Sequence, residues 1–141
     1  MSTLVIVNPN AMGGRAMGLW RKYEPHMRER FPGLSVAVTP KSSDVPEVIN
    51  AALRGGAHTV IGVGGDGTNY TLVNAIVNLT DRDPDLPIPN YGIFPIGTGC
   101  DFATARGIPK ASLETVERLA SARPKPVDIG VAQFTDRDGA T

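Results

Sequence analysis

Short apolar runs alternate with helix-like segments along most of this chain, and that alternation restricts its fold more than any other feature. Strands are predicted at 4–7, 34–39, 59–63 and 91–94, and helices at 15–30, 42–56, 68–79 and 112–121. Residues 4–7 are all apolar, which is typical of a strand buried on both faces. We therefore predict an α/β fold, with a mainly parallel sheet covered by helices on both faces.

Several residues mark where the predicted helices begin. Ser43 or Asp44 is expected to cap the second helix, and Ser112 the last one, because their side chains can accept a hydrogen bond from a free backbone amide. In the last helix, Leu113 and Val116 are expected to face the core.

Composition excludes some classes of function. The 14 basic and 14 acidic residues cancel, so the basic excess of a nucleic-acid surface is absent. The single cysteine, Cys100, is typical of a reducing compartment. No apolar stretch in the sequence approaches the ~20 residues of a membrane-spanning helix. We expect a cytoplasmic protein whose membrane contact, where there is any, is peripheral.

The last part of the sequence breaks the alternation. Residues 127–134, VDIGVAQF, are strand-like, yet no helix-like segment follows them. This pattern predicts one domain over 1–126 and the truncated start of a second over 127–141. An unpaired strand edge there would favour self-association into a homo-oligomer.

A glycine-rich loop follows the third strand. Gly62, Gly64 and Gly67 spell G-x-G-x-x-G, but this fingerprint normally lies in the first strand–helix unit. It also needs an acidic residue at the end of the next strand, about 20 residues on, where this sequence has the proline-rich segment DRDPDLP. Glycine backbone that opens a helix still suits phosphate, because the helix start supplies free amides and partial positive charge. Asp66 would repel a bare polyphosphate, so it indicates a nucleotide with Mg²⁺, ordered waters or a ligand hydroxyl. The alternative is a tight turn in which Asp66 is only an N-cap.

Two further loops have similar chemistry. PIGTGCDFA at 95–103 follows the fourth strand, and NPNAMGGRA at 8–16 follows the first. Loops at the carboxyl ends of parallel strands can converge at one edge of the sheet.

Together the three loops resemble the diacylglycerol kinase catalytic domain family, which includes sphingosine kinases and bacterial lipid kinases. The matching motifs are NPNAM at 8–12, GGDGT at 64–68 and PIGTGCDFA at 95–103. The resemblance implies a phosphofructokinase-like or NAD-kinase-like first domain, a β-rich second domain, and transfer of the γ-phosphate of ATP, with Mg²⁺, to a diacylglycerol-like or sphingoid lipid. Such an enzyme belongs to lipid metabolism and phospholipid biosynthesis. Asp66 would organise the metal–water network.

The resemblance also implies a set of nucleotide contacts. These are Asn8, Pro9, Asn10, Ala11, Met12, Thr39, Gly64, Gly65, Asp66, Gly67, Thr68, Asn69, Tyr70 and Thr98. It places the general base and the acidic residues near the metal in the second domain, so no direct metal ligand and no phosphate transfer are expected from these 141 residues.

Three residues depart from the family pattern. Met12 replaces a glycine, Thr71 a glutamate and Cys100 an asparagine. Two alternatives stay open. One is an NAD kinase or other small-molecule kinase with the same GGDGT loop, and the other is a nucleotide-binding regulatory module without catalysis.

Overall fold

A computed structural model describes residues 2–133 and Thr135 of the 141-residue chain. The strands are β1 (Ser2–Val7), β2 (Ser35–Val38), β3 (Ala57–Gly64) and β4 (Asn90–Pro95). The α-helices are α1 (Ala16–Arg30), α2 (Val45–Arg54), α3 (Asp66–Arg82), α4 (Asp101–Ala105) and α5 (Leu113–Ser121). Short 3-10 turns lie at Ala11–Gly14 and Ser42–Asp44. The predicted alternation of strands and helices is therefore confirmed.

The four strands form one parallel sheet in the order β2-β1-β3-β4. Side chains of the central strand β1 alternate between two cores: Val5 and Val7 belong to one, and Leu4 and Ile6 to the other. This explains why every residue of that run is apolar, since neither face of the strand meets water.

Helices cover both faces, as predicted. On one face, α1 and α5 contribute Trp20, Met27 and Val116 to the core with Phe94 of β4. The rings of Trp20 and Phe94 meet edge to face at a centroid distance of 6.2 Å, a favourable arrangement for aromatic rings. On the other face lie α2 and α3, whose apolar side chains form the second core.

The path of the chain produces a reversal in the middle of the sheet. From β1 the chain moves outward to β2, then returns across β1 to β3 and continues to β4. In open α/β sheets, ligands bind beyond the carboxyl ends of the strands where the direction reverses. Here that point lies between β1 and β3, next to Asn8 and the glycine loop that follows Gly64.

Some local predictions are confirmed and others are wrong. Ser112 caps α5, accepting a hydrogen bond from the Thr115 amide at 3.2 Å. Neither Ser43 nor Asp44 caps α2 through its side chain, because a 3-10 turn leads into that helix instead. Leu113 does not face the core: it is 53% exposed, because it is the first residue of α5 and lies at the edge of the helix–sheet contact.

The segment after α5 also differs from its prediction. Within the described part of the predicted strand, residues 127–133, the structure contains no strand, and Val127, Ile129 and Val131 are exposed. A strand needs a neighbour for its backbone hydrogen bonds, and this segment has none within the described chain. Phe134 and residues 136–141 lie outside the described residues, so the second domain over 127–141 stays a prediction. Among the described helices, none is long and apolar enough to cross a membrane.

Candidate functional site

A hydrogen bond joins the ends of β1 and β3 across the reversal point. The Asn8 Nδ2 group donates to Thr68 Oγ1 at 3.0 Å, and the backbone amide of Asn10 donates to Asn8 Oδ1 at 3.0 Å. The second bond fixes the orientation of the Asn8 side-chain amide, so its NH₂ group faces Thr68. Because Thr68 accepts from Asn8, its own hydroxyl proton is left to donate elsewhere.

A cavity of about 230 Å³ opens beside this pair. Its apolar lining includes the buried side chains of Ile6, Val45 and Leu72. Most of the other lining side chains carry hydroxyl or amide groups, and none of the lining side chains is charged. The lining residues are Ile6, Asn8, Asn10, Thr39, Pro40, Ser42, Val45, Thr68, Thr71 and Leu72. This volume lies just below the ~300–1,000 Å³ of typical ligand pockets, so the cavity suits part of a nucleotide better than a whole one.

Four of these lining residues were predicted as nucleotide contacts: Asn8, Asn10, Thr39 and Thr68. The others were missed, among them Pro40 and Ser42 just after β2. The order of the sheet brings them to the cavity, because β2 lies beside β1. Thr71, singled out in the sequence only as a departure, also lines the cavity and donates to the Gly67 carbonyl at 3.1 Å.

The start of α3 has free backbone donors. Gly65 occupies the N-cap position with extended backbone, and no described side chain caps this helix. The first intrahelical bond runs from the Asn69 amide to the Gly65 carbonyl at 3.1 Å, so the amides of residues 66–68 precede it. Uncapped amides at a helix start form a favourable environment for an anion.

The glycines in this loop permit close packing. A Cβ atom on Gly64 would fall on the Thr68 side chain. A Cβ atom on Gly97 would lie 2.9 Å from Gly65 Cα, so the two glycine loops touch through their backbones. The Ile96 amide also donates to the Gly64 carbonyl at 3.0 Å. The predicted convergence of these two loops is present in the structure.

Asp66 contacts the second glycine loop. Its Oδ2 atom accepts from the Asp101 amide at 2.7 Å, and Oδ1 accepts from the Phe102 amide at 3.2 Å. The carboxylate therefore caps α4, not its own helix. Neither the predicted metal-network role nor the simple N-cap alternative anticipated this contact.

Other predicted contacts lie in different environments. The buried Asn69 side chain accepts from the Tyr91 hydroxyl at 2.7 Å, so it holds α3 against β4. Burial raises the pKa of Tyr91 well above its ordinary value.

Tyr70 is 70% exposed, and Thr98 is exposed in the second loop. Ala11 and Met12 pack against the core near α1, and Pro9 lies between the cavity residues Asn8 and Asn10.

Two of the departures from the family pattern have unusual backbone. Met12 has φ +53° and Cys100 has φ +56°, the left-handed region that glycine and asparagine adopt more readily than other residues. The Cys100 side chain is buried, and burial together with the nearby Asp66 carboxylate raises the pKa of its thiol.

Residues 2–132 match the family described as the diacylglycerol kinase catalytic domain. The chain belongs to this family. The resemblance seen in the three loop motifs is thereby confirmed over nearly the whole chain, which is a lipid-kinase-like nucleotide-binding domain.

Curated relatives of this chain are named as lipid kinases. A "Probable lipid kinase YegS-like" protein of Xanthomonas euvesicatoria pv. vesicatoria (strain 85-10) is 36% identical over 103 residues, which cover 73% of this chain and 33% of the relative. A protein of that name from Enterobacter sp. (strain 638) is 35% identical over 135 residues, covering 96% of this chain and 42% of the relative. The chain thus spans less than half the length of either relative.

A solved structure has the same fold. The crystal structure of a diacylglycerol kinase from Bacillus anthracis str. Sterne superposes with a TM-score of 0.74 at 28% identity, covering 89% of this chain and 44% of that one. The agreement confirms the predicted α/β fold class.

Proposed function

We propose that this chain is the ATP-binding part of a lipid kinase that transfers the γ-phosphate of ATP to a diacylglycerol-like or sphingoid hydroxyl. The observation that carries the proposal is the bond between Asn8 and Thr68 across the reversal point of the sheet. This bond fixes the Thr68 hydroxyl, a hydrogen-bond donor, between a cavity lined by uncharged side chains and the start of α3. The backbone amides at that helix start have no side-chain cap. Family membership supports the kinase class.

The two parts of the site suit the two parts of a nucleotide. The amides of 66–68 and the Thr68 hydroxyl would bind phosphate oxygens. The cavity, whose lining includes Ile6, Thr39 and Leu72, would hold part of the nucleoside. Phosphoryl transfer depends largely on such positioning and on electrostatic stabilisation.

The described residues contain no group of three or more metal-ligating side chains. That this chain contributes no direct metal ligand stays a prediction. We propose that residues of the predicted second domain would hold Mg²⁺. When bound, it would offset charge on the phosphates.

Titration of the 141-residue chain with Mg-ATP, followed by NMR, tests the proposal. We expect a dissociation constant of about 1 mM, equivalent to about 4 kcal/mol, because a site formed by these residues alone leaves the nucleotide in contact with water. The shifted resonances should belong to residues 64–68 and to the cavity. Gly65→Ala is the matched variant: it should weaken binding, since a methyl group would obstruct phosphate. No shifts at 10 mM, or shifts confined to other regions, would contradict the proposal.

A transfer assay separates the enzyme classes. With radiolabelled ATP, this chain alone should phosphorylate neither diacylglycerol nor sphingoid bases, and a longer protein with the second domain should phosphorylate one of them. In that longer protein Asp66→Asn should abolish transfer. Phosphorylation of NAD instead would support the small-molecule kinase alternative. Binding without transfer to any acceptor would support the regulatory module.

A further inference from the structure

Asp66 is the side chain whose observed contacts differ most from its expected role. Both carboxylate oxygens accept hydrogen bonds from consecutive backbone amides, those of Asp101 at 2.7 Å and Phe102 at 3.2 Å. These contacts span 35 and 36 residues of sequence. Hydrogen bonds to an ionised acceptor are shorter and roughly twice as strong as neutral ones.

The backbone before α4 explains why these amides converge. Cys100 adopts left-handed backbone with φ +56°, and the helix begins at the next residue. Successive amides in such a turn form a concavity that binds anions. In this protein the concavity holds the Asp66 carboxylate. The amides of Asp101 and Phe102 are therefore already paired with a protein carboxylate. A phosphate would have to displace Asp66 to bind them.

Two backbone contacts strengthen the same junction. The Ile96 amide donates to the Gly64 carbonyl at 3.0 Å, and a Cβ on Gly97 would lie 2.9 Å from Gly65 Cα. These two contacts and the two Asp66 hydrogen bonds all lie at the start of α3, on Gly64, Gly65 and Asp66. A shift of the second loop would therefore shift the amides of 66–68.

We propose that Asp66 is a positioning residue that joins the two glycine loops into one rigid unit and thereby sets the amides of 66–68 for phosphate. The loop-joining role is a property of the free protein. Its effect on ligand binding rests on the proposed nucleotide function. The competing role, organisation of a metal–water network, would use lone pairs of the carboxylate that the two amides leave free.

Backbone amide exchange in the free protein tests the joining role. Asp66→Asn keeps one acceptor oxygen and replaces the other by a donor, so at least one of the two bonds must be lost. We expect exchange at the amides of 101 and 102 to accelerate about tenfold, equivalent to about 1.4 kcal/mol. Asp101→Asn is the control, because it removes a nearby charge without removing either acceptor; exchange there should stay within about twofold of the wild type.

Amides of β1 and β3 serve as the internal reference for global unfolding. If Asp66→Asn does not fold, Asp66→Glu provides the second test: it keeps the charge but moves the oxygens one methylene outward. Exchange at 101 and 102 should then be faster than in the wild type while the reference amides are unchanged. Unchanged exchange at 101 and 102 in a folded Asp66 variant overturns the proposal.

ATP affinity, measured with and without Mg²⁺, tests the positioning role. Asp66→Asn should weaken binding in both conditions, because a displaced loop affects phosphate whether or not metal is present. The loss should be smaller without Mg²⁺, since the variant also removes a charge that repels bare phosphate. Weakening only with Mg²⁺, or unchanged affinity despite faster exchange, overturns it. If wild-type protein binds no nucleotide, the proposed function fails, while the exchange data still decide whether Asp66 joins the loops.

Discussion

The contact between Gly65 and Gly97 predicts opposite results for the same substitution on its two sides. In Gly97→Ala the new methyl carbon would lie 2.9 Å from Gly65 Cα and 3.2 Å from Cys100 Sγ. Optimal carbon contacts are ~3.5–4.0 Å, so the methyl would be about 0.6 Å or more too close to backbone that cannot rotate away. Overpacking of this kind costs about 1–3 kcal/mol of the free energy of unfolding.

Gly65→Ala is the matched control. A Cβ there would meet only Gly97 Cα at 3.7 Å, an ordinary contact, and the backbone at φ −100° is open to any residue. Its stability should be unchanged or raised by up to about 1 kcal/mol, because alanine restricts the unfolded chain. Gly65→Ala should therefore report on ligand binding and Gly97→Ala on the fold.

Urea unfolding measures both variants. With a denaturant slope of about 2 kcal/mol per molar, a loss of about 2 kcal/mol lowers the midpoint by about 1 M. A Gly97→Ala midpoint equal to the wild type would refute the close-packing argument. Equal losses of unfolding free energy in both variants would show that neither Gly65 nor Gly97 tolerates a side chain.

Three other outcomes are expected. Met12→Gly should be about 1 kcal/mol more stable than Met12→Ala in urea, because both lose the side chain but only alanine strains the left-handed backbone; equal stability would count against strain at φ +53°. Tyr91→Phe should lower the free energy of unfolding by about 1–3 kcal/mol at pH 7, since it leaves the buried Asn69 oxygen unpaired. The pKa of Tyr91 is raised in the folded state, so above about pH 10 the unfolded state releases this proton first and wild-type stability falls by up to about 1.4 kcal/mol per pH unit. The difference in unfolding free energy between the wild type and Tyr91→Phe should therefore shrink above about pH 10. A constant difference would contradict the burial argument. The Cys100 thiol is buried and its pKa is raised. It should therefore react slowly with a disulfide reagent at pH 8 in the native protein and fast in urea. Equal rates in the two conditions would place the thiol at the surface.

The sequence predicted the elements and the convergence of the loops, because strand and helix periods and glycine punctuation are local properties. It could not predict the strand order, which brings Pro40 and Ser42 beside Asn8. The partner of Asp66 was equally hidden: the carboxylate is at the start of α3, yet it caps α4. The error over 127–133 has a similar origin, since an apolar alternating run becomes a strand only when a neighbour supplies hydrogen bonds.

The three departures from the family pattern fall into two physical groups. Among the described residues, Met12 and Cys100 are the two non-glycine residues with positive φ. Glycine and asparagine at those positions would relieve backbone strain, so these two changes act first on stability. Thr71 differs, because its side chain lines the cavity and leaves it without a charge. A glutamate there would place a carboxylate beside the proposed nucleoside. Under the proposed function, Thr71 is therefore the departure from the family pattern that would act on nucleotide binding and not first on stability.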